Sequence, residues 1–139
     1  MDRVVLGHNL SDRIESTFLN ILRGASLKGF LSMDFAQSHP LLTGAKVMRP
    51  LISLSKKNIL EICKKNNIPY ITDKSNFDNT TSLRNKLRNK ILPQLFALNK
   101  NENSQKTFEN SMENIYTEIN KLQARGHRPQ ATNTMGLGA

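Results

Sequence analysis

The sequence has one cysteine, no tryptophan and few aromatics, 6% in all. A lone thiol, Cys63, excludes an internal disulfide framework and every multi-cysteine zinc or iron–sulfur motif, because each needs several thiolates at fixed spacing. Cys63 falls on an apolar helical stripe, so it reads as a small buried hydrophobe. No apolar run approaches the roughly 20 residues of a membrane span. The opening Met1-Asp2-Arg3 lacks the charged, apolar and small-residue zones of a signal peptide. A soluble, cytoplasmic protein with no membrane partner is expected.

Acidic residues are also scarce: 20 Lys plus Arg stand against 11 Asp plus Glu, giving +9 and favouring polyanionic partners. The excess is local. Between Lys46 and Lys100 there are twelve basic residues and three acids, Glu61, Asp73 and Asp78, while the flanks balance. With 37% hydrophobic residues in a chain of 139, one domain, or part of one, with a modest core is expected.

Hydropathy patterning gives an alternation of strands and helices. Val4-Val5-Leu6 reads as a buried strand ending at Gly7. A helix follows over residues 10–23, capped by Asn9, with Leu10, Ile14, Phe18, Ile21 and Leu22 at helical spacing and Gly24 as its stop. Residues 25–45 show no sustained period and read as irregular, with room for one short turn of helix. A strand over 46–49 ends at Pro50, and Ser55 caps a helix over 56–66 whose Ile59, Ile62 and Cys63 share a face. Residues 68–71 read as a short strand beside Pro69, and residues 72–82 as loop. A helix from Leu83 is kinked or restarted by Pro93. A last helix over 104–122 carries Phe108, Met112, Ile115, Ile119 and Leu122. The fold class is α/β, a partial open parallel sheet followed by helices. Residues 125–139 lack period and acid, and are expected to be a disordered tail.

Two segments carry the candidate chemistry. In Gly7-His8-Asn9-Leu10-Ser11-Asp12-Arg13-Ile14-Glu15, a 100° step places His8, Asp12 and Glu15 within an arc of about 60°, opposite the apolar stripe. An imidazole and two carboxylates so converge at the C-terminal end of a strand, where open α/β sheets bind ligands. Taken alone, acids in a first helical turn are more often simple dipole partners. In the second segment, Asp73, Ser75, Asn76 and Asp78 have the look of a calcium loop. The required glycine and distal glutamate are missing, so Asx-turn chemistry is the better reading and no metal site is expected. Arg84 and Arg88 border the arc of Leu83, Leu87, Ile91 and Leu95. They suit a phosphate or carboxylate ligand, or equally an internal pairing with Asp73 or Asp78. Lys86 and Lys90 point away, toward looser phosphate contacts. Arg23-Gly24 and Arg49 are weaker candidates for the same site, each readable as a helix cap or a strand end. His39 and His127 read as solvated, and the acceptor pattern at Asn79 as idle.

Taken in order, GHNLSDRIESTFLNILRG, LKGF, MRPLI, DKSNFD and RNKLRNKILPQL resemble the second half of the catalytic domain of the tRNA(Ile)-lysidine synthetase family, among the N-type ATP pyrophosphatases. The resemblance covers residues 4–98. It implies an adenine nucleotide alpha hydrolase-like fold and a carbon–nitrogen ligase. ATP adenylates the wobble cytidine of tRNA(Ile), pyrophosphate leaves, and L-lysine displaces AMP. On this mapping His8, Asp12 and Glu15 match the catalytic histidine and acids, and Arg84 or Arg88 the active-site arginine. Arg23, Gly24 and Arg49 would serve the nucleotide, and Asp73, Ser75, Asn76 and Asn85 the substrate loop. Lys56, Lys57, Lys64, Lys65, Lys86 and Lys90 would meet RNA. Magnesium would accompany ATP. The family's Ser-Gly-Gly-x-Asp-Ser loop has no counterpart here, since no Gly-Gly pair occurs in the 139 residues. The resemblance therefore implies a catalytic half over 1–98 and a helical extension over 99–124. The chain is then expected to be a fragment, one half of a split enzyme with a separate N-terminal half or a homodimer mate as partner, or a remnant, and to be inactive alone. A basic RNA-binding module without catalysis is the alternative; its usual aromatic stacking motifs are missing. A sulfur-transferring relative is disfavoured by the single cysteine.

Overall fold

In the computed structural model, which describes residues 2–31, 33–73 and 82–126, the first apolar run forms β1 (Asp2–Val5) and leads into α1 (Leu10–Leu22). Asn9 caps α1 in a reciprocal capping box. Its side chain accepts from the Asp12 amide at 3.2 Å, and the Asp12 carboxylate accepts from the Asn9 amide at 3.0 Å. Such a cap stabilises a helix by about 1 kcal/mol. At the other end Gly24 takes φ 77°, the left-handed conformation that closes a helix and that a side chain would strain.

In the segment expected to be irregular, the one short turn of helix is α2 (Leu27–Phe30); the strand β2 (Ala36–Ser38) corrects the reading, and β3 (Ala45–Met48) follows. A three-residue strand is too short to show alternation, and β2 is fixed by its ladder to β3 rather than by its own composition. The sheet order is β1-β3-β2. β1 and β3 are parallel, with Val4 opposite Val47, while β2 and β3 are antiparallel. The α/β class stands, but with a mixed sheet rather than a parallel one.

Ser55 caps α3 (Lys56–Lys65) by accepting from the Asn58 amide at 3.1 Å. The strand expected at residues 68–71 is absent. Asn67 turns the chain at φ 53°, the Ile68 amide donates back to the Cys63 carbonyl at 2.9 Å, Pro69 offers no N–H and Ile71 is 98% exposed, so the segment joins no strand ladder among the described residues. After residues 74–81, which lie outside the described residues, α4 (Leu83–Lys86) runs into a π turn (Leu87–Ile91) and then α5 (Leu92–Leu98). The wide turn sits directly ahead of Pro93, whose ring would clash with the carbonyl of a tight preceding turn.

The last helix, α6 (Ser104–Gly126), outruns its expected end and takes in Arg125 and Gly126, so the tail reading is corrected at its start. Its remainder, 127–139, lies outside the described residues. The buried face of α6 carries Glu109, Met112, Tyr116 and Ile119, whereas Ile115 and Leu122 are exposed. A stripe spaced by 3.5 drifts off the buried side of a straight helix, and Tyr116 replaces Ile115 there. Met112 and Tyr116 join Leu10, Ile14, Leu19, Leu87 and Leu92 in one core, with Phe18, Phe96 and Phe108 packed against it. The core thus lies between α1, the π turn with α5, and α6. It holds α1 rigidly against the segment carrying Arg84 and Arg88. Among the described residues no helix is long and apolar enough to cross a membrane.

Candidate functional site

Helix α1 is short of exposed surface on two sides, and this shapes the site. Its apolar side faces the core, while Arg13, Glu15, Ser16 and Thr17 are buried too. Glu15 is 1% exposed, and Arg88 compensates its charge by donating from Nε to Oε1 at 2.7 Å and from Nη2 to Oε2 at 2.9 Å. Asp12 stands at the edge of the same pair, its Oδ1 3.4 Å from Arg88 Nη2. The bond to Glu15 raises the Arg88 pKa above its ordinary value, against the opposing effect of burial. The carboxylates that Arg88 finds on α1 are therefore Glu15 and Asp12. Asp12 thus both closes the capping box of α1 and stands beside Arg88.

His8 lies at the end of β1, and its Nδ1 accepts from Arg49 Nε at 3.1 Å. Arg49, 5% exposed after β3, also donates from Nη1 to the Gln37 side chain at 2.9 Å and to the Asp34 carbonyl at 3.1 Å. Burial lowers its pKa, with Asp34 acting in the opposite sense. Arg84 takes a different course from Arg88 and donates from Nη2 to Ser16 Oγ at 2.8 Å.

The structure gathers three of the foreseen arginines. Arg23, Arg49 and Arg84 line one cleft of about 460 Å³ together with Ser16, Asn20 and His39. Gly24 does not line it; it closes α1. Three guanidinium groups around an open cleft fit a phosphate-bearing ligand such as a nucleotide. Among the described residues no group of three or more His, Cys, Asp or Glu is arranged to hold a metal.

Residues 1–95 match the PP-loop domain. The chain belongs to the PP-loop family. This PP-loop chain is similar to the chloroplastic tRNA(Ile)-lysidine synthase of Gracilaria tenuistipitata var. liui, 37% identical over 94 residues, 68% of this chain and 28% of the relative. It is similar to the tRNA(Ile)-lysidine synthase of Haemophilus influenzae strain PittGG, 38% identical over 96 residues, 69% of this chain and 21% of the relative. The enzyme of that name from Prochlorococcus marinus strain NATL1A is 34% identical over 124 residues, 88% of this chain and 37% of the relative. The chain thus spans a fifth to just over a third of the length of these curated relatives. The resemblance read from the five sequence blocks agrees with these likenesses.

The other foreseen residues of the PP-loop chain are more dispersed. Lys56, Lys57, Lys64 and Lys65 are exposed along α3, and Lys86 and Lys90 are exposed on α4 and the π turn. Asp73 is exposed, and Asn85 is half-buried in the first turn of α4 with its amide capped by Ser82. Ser75, Asn76 and Asp78 lie outside the described residues.

Sequence reasoning missed the polar set behind α1. Arg13 is 3% exposed, lies 3.9 Å over the Tyr116 ring, and stands 3.7 Å from both Asp34 and Glu113. Thr17 Oγ1 and the Tyr116 hydroxyl share a 2.7 Å hydrogen bond. The available signal was the place of Arg13 and Thr17 beside Ile14 on the wheel. Without α6 in position that spacing has no meaning. The burial of Glu109 on α6 was missed for the same reason.

Proposed function

We propose that this chain performs the carboxylate-and-arginine part of lysidine formation, the ATP-dependent ligation of lysine to the wobble cytidine of tRNA(Ile). The observation that carries the reading is the placement of Asp12 and Glu15 with Arg88 beyond the end of β1, joined through α1 to a cleft lined by Arg23, Arg49 and Arg84. In the first half-reaction the cytidine oxygen attacks the α-phosphorus of ATP and pyrophosphate leaves. In the second the lysine amine bonds to the activated carbon, the carbon–oxygen bond to AMP breaks, and the amine loses a proton.

The roles follow from the chemistry of the groups. Arg84, with Arg23 and Arg49, holds phosphate charge in the cleft. Arg49 steadies His8 at that side through its Nδ1. Asp12 and Glu15 receive the lysine ammonium and take up its proton, and Arg88 sets their orientation. ATP with its magnesium supplies the leaving groups, and residues 1–98 act as the catalytic half. The exposed lysines of α3, α4 and the π turn attract the tRNA backbone.

The glycine-rich nucleotide loop of the family is not among these residues, so the test supplies it as the N-terminal part of a curated relative. Pyrophosphate release and lysine incorporation into tRNA(Ile) are measured separately. The complemented chain should modify the tRNA, and Asp12→Ala or Glu15→Ala should slow lysine incorporation by on the order of 100-fold or more. Unchanged incorporation in the double variant removes the assigned site. A second reading, an RNA-binding module without catalysis, is favoured by the six exposed lysines. It predicts tRNA binding with no incorporation under any complementation.

A further inference from the structure

Helix α6 lies beyond the residues that match the PP-loop domain, yet a buried cation joins it to the segment that holds Arg49. Arg13 of α1 is 3% exposed and lies between three groups. Its guanidinium carbon is 3.9 Å from the centre of the Tyr116 ring, its Nη1 is 3.7 Å from Glu113 Oε2, and its Nη2 is 3.7 Å from Asp34 Oδ1. Helix α6 is fixed on its side of Arg13, because Tyr116 shares the 2.7 Å bond with Thr17 and Glu113 Oε1 accepts from Ser53 Oγ at 2.8 Å. On the other side Arg13 meets Asp34, just ahead of β2.

The turn that Asp34 opens grips Arg49. Asp34 Oδ1 accepts from the Phe35 amide at 2.8 Å, and the Asp34 amide donates to Gln37 Oε1 at 3.1 Å. The Phe35 carbonyl accepts from the Arg49 amide at 2.7 Å, while the Asp34 carbonyl and Gln37 Oε1 both accept from Arg49 Nη1. With Nε on His8, the Arg49 guanidinium keeps only Nη2 without a hydrogen bond, and Arg49 lines the cleft beside Arg23 and Arg84.

A buried cation with two acids at 3.7 Å and no hydrogen bond from Nε or Nη2 gains little stability over an apolar side chain of its size. What Arg13 does fix is direction, since its attraction holds the Asp34 carboxylate toward α1, and the backbone of Asp34 holds Arg49. We propose that Arg13 is a positioning residue that acts through Asp34 to set the Arg49 guanidinium, with Nη2 left for an anion in the cleft. The inference rests on the function proposed above only for the anion being a phosphate.

The Nε–H signal of Arg49 in nitrogen–proton spectra of the full chain, identified by its loss in Arg49→Lys, tests the hold directly. It is followed in Arg13→Met and in Asp34→Asn, which keeps an oxygen for the Phe35 amide and removes only charge, at a side chain 37% exposed. Both variants should shift the signal and speed its exchange with solvent. Calorimetric titration with inorganic pyrophosphate reads the consequence at the cleft. By charge alone Arg13→Met should weaken binding and Asp34→Asn should tighten it, whereas loss of position weakens both, by about 3-fold or more. An unmoved Arg49 signal in either variant, or tighter pyrophosphate binding in Asp34→Asn, overturns the proposal. If the parent chain binds no pyrophosphate at millimolar concentration, the phosphate reading of the cleft falls and the Arg49 signal alone decides. Both readouts as expected, without lysine incorporation in the complemented assay, retire the function and keep the positioning role. Lysine incorporation with an unmoved Arg49 signal does the reverse.

Discussion

Removing Arg88 and removing Glu15 should have unequal effects, because they leave different charges behind. Arg88→Met keeps an aliphatic stem but strands a carboxylate whose side chain is 2% exposed. Breaking a buried pair in this way costs about 3–5 kcal/mol. Glu15→Gln strands a guanidinium whose side chain is 24% exposed and which still has Asp12 at 3.4 Å. Water and the second acid take up that charge, so the cost should be about 1–2 kcal/mol. The double variant removes both charges and should fall no more than about 2 kcal/mol below the parent. The cycle then shows a coupling of at least about 2 kcal/mol, and of about 3–4 kcal/mol at the middle of these ranges. Against the 5–15 kcal/mol typical of a domain, roughly speaking, Arg88→Met alone removes a large share of the stability.

Urea unfolding followed by far-ultraviolet circular dichroism provides the four free energies, provided the slope is common to all variants. Additivity of the two single changes within about 0.5 kcal/mol would refute the reasoning, since it would mean that Glu15 and Arg88 do not depend on each other. A Glu15→Gln cost equal to or above that of Arg88→Met would refute the asymmetry and imply that the guanidinium, not the carboxylate, is the stranded group.

Three further outcomes are expected. Arg13→Met should change stability by no more than about 1 kcal/mol, because lost attraction to the Tyr116 ring and to the half-exposed Asp34 and Glu113 is offset by removal of a buried cation whose Nε and Nη2 make no hydrogen bond; Arg13→Ala should cost about 2–4 kcal/mol by leaving a void, and equal melting temperatures for the two variants would contradict this. Burial lifts the Tyr116 phenol to about 12, with the Thr17 bond and Arg13 pulling the other way. The folded state favours the neutral phenol, so this contribution is intact below about pH 10, the unfolded value, and is lost as pH rises toward 12. In a Tyr70→Phe background tyrosinate absorbance should rise only in that window, together with unfolding; a rise at the free-phenol value with the fold intact would sink the assignment. Finally, Lys64→Ala with Lys65→Ala should reduce the dependence of log affinity for tRNA on log salt by about 1.5 if both lysines contact phosphate, each contact contributing roughly 0.7–0.9; an unchanged slope leaves them as solvated surface.

The part of the site that was legible in the sequence is the part written within one helix turn. Asp12 and Glu15 share the Arg88 side of α1 because a 3.6 residue period is a local property, and the Asn9 and Ser55 caps are equally local, whereas His8 at the strand end meets Arg49 instead. Elements that depend on a distant partner were not legible. β2 exists through its ladder with β3, and the buried side of α6 is decided by where Arg13 and Thr17 of α1 stand. Residues 68–71 show the converse. Apolar and β-prone, they still form no strand, because Asn67 and Pro69 turn them away from any partner.

Arg84 and Arg88 could not be separated by sequence, and the reason is mechanical. A wheel drawn at 100° per residue puts them on one side of a helix, bordering one buried face. The chain instead opens into a π turn from Leu87, ahead of Pro93, and the wheel no longer applies across it. Arg84, before the wide turn, reaches Ser16 and the cleft shared with Arg23 and Arg49. Arg88, within it, reaches Glu15 and Asp12. Glu15 and Ser16 are neighbours on α1, so one short segment meets two adjacent side chains of α1 and ties the Glu15 and Asp12 carboxylates to the arginine-lined cleft. The ligation proposed for this chain, in which phosphate is held while an amine loses its proton, calls for those two groups side by side at a fixed separation. The π turn, a local irregularity forced by a proline, is what sets that separation here.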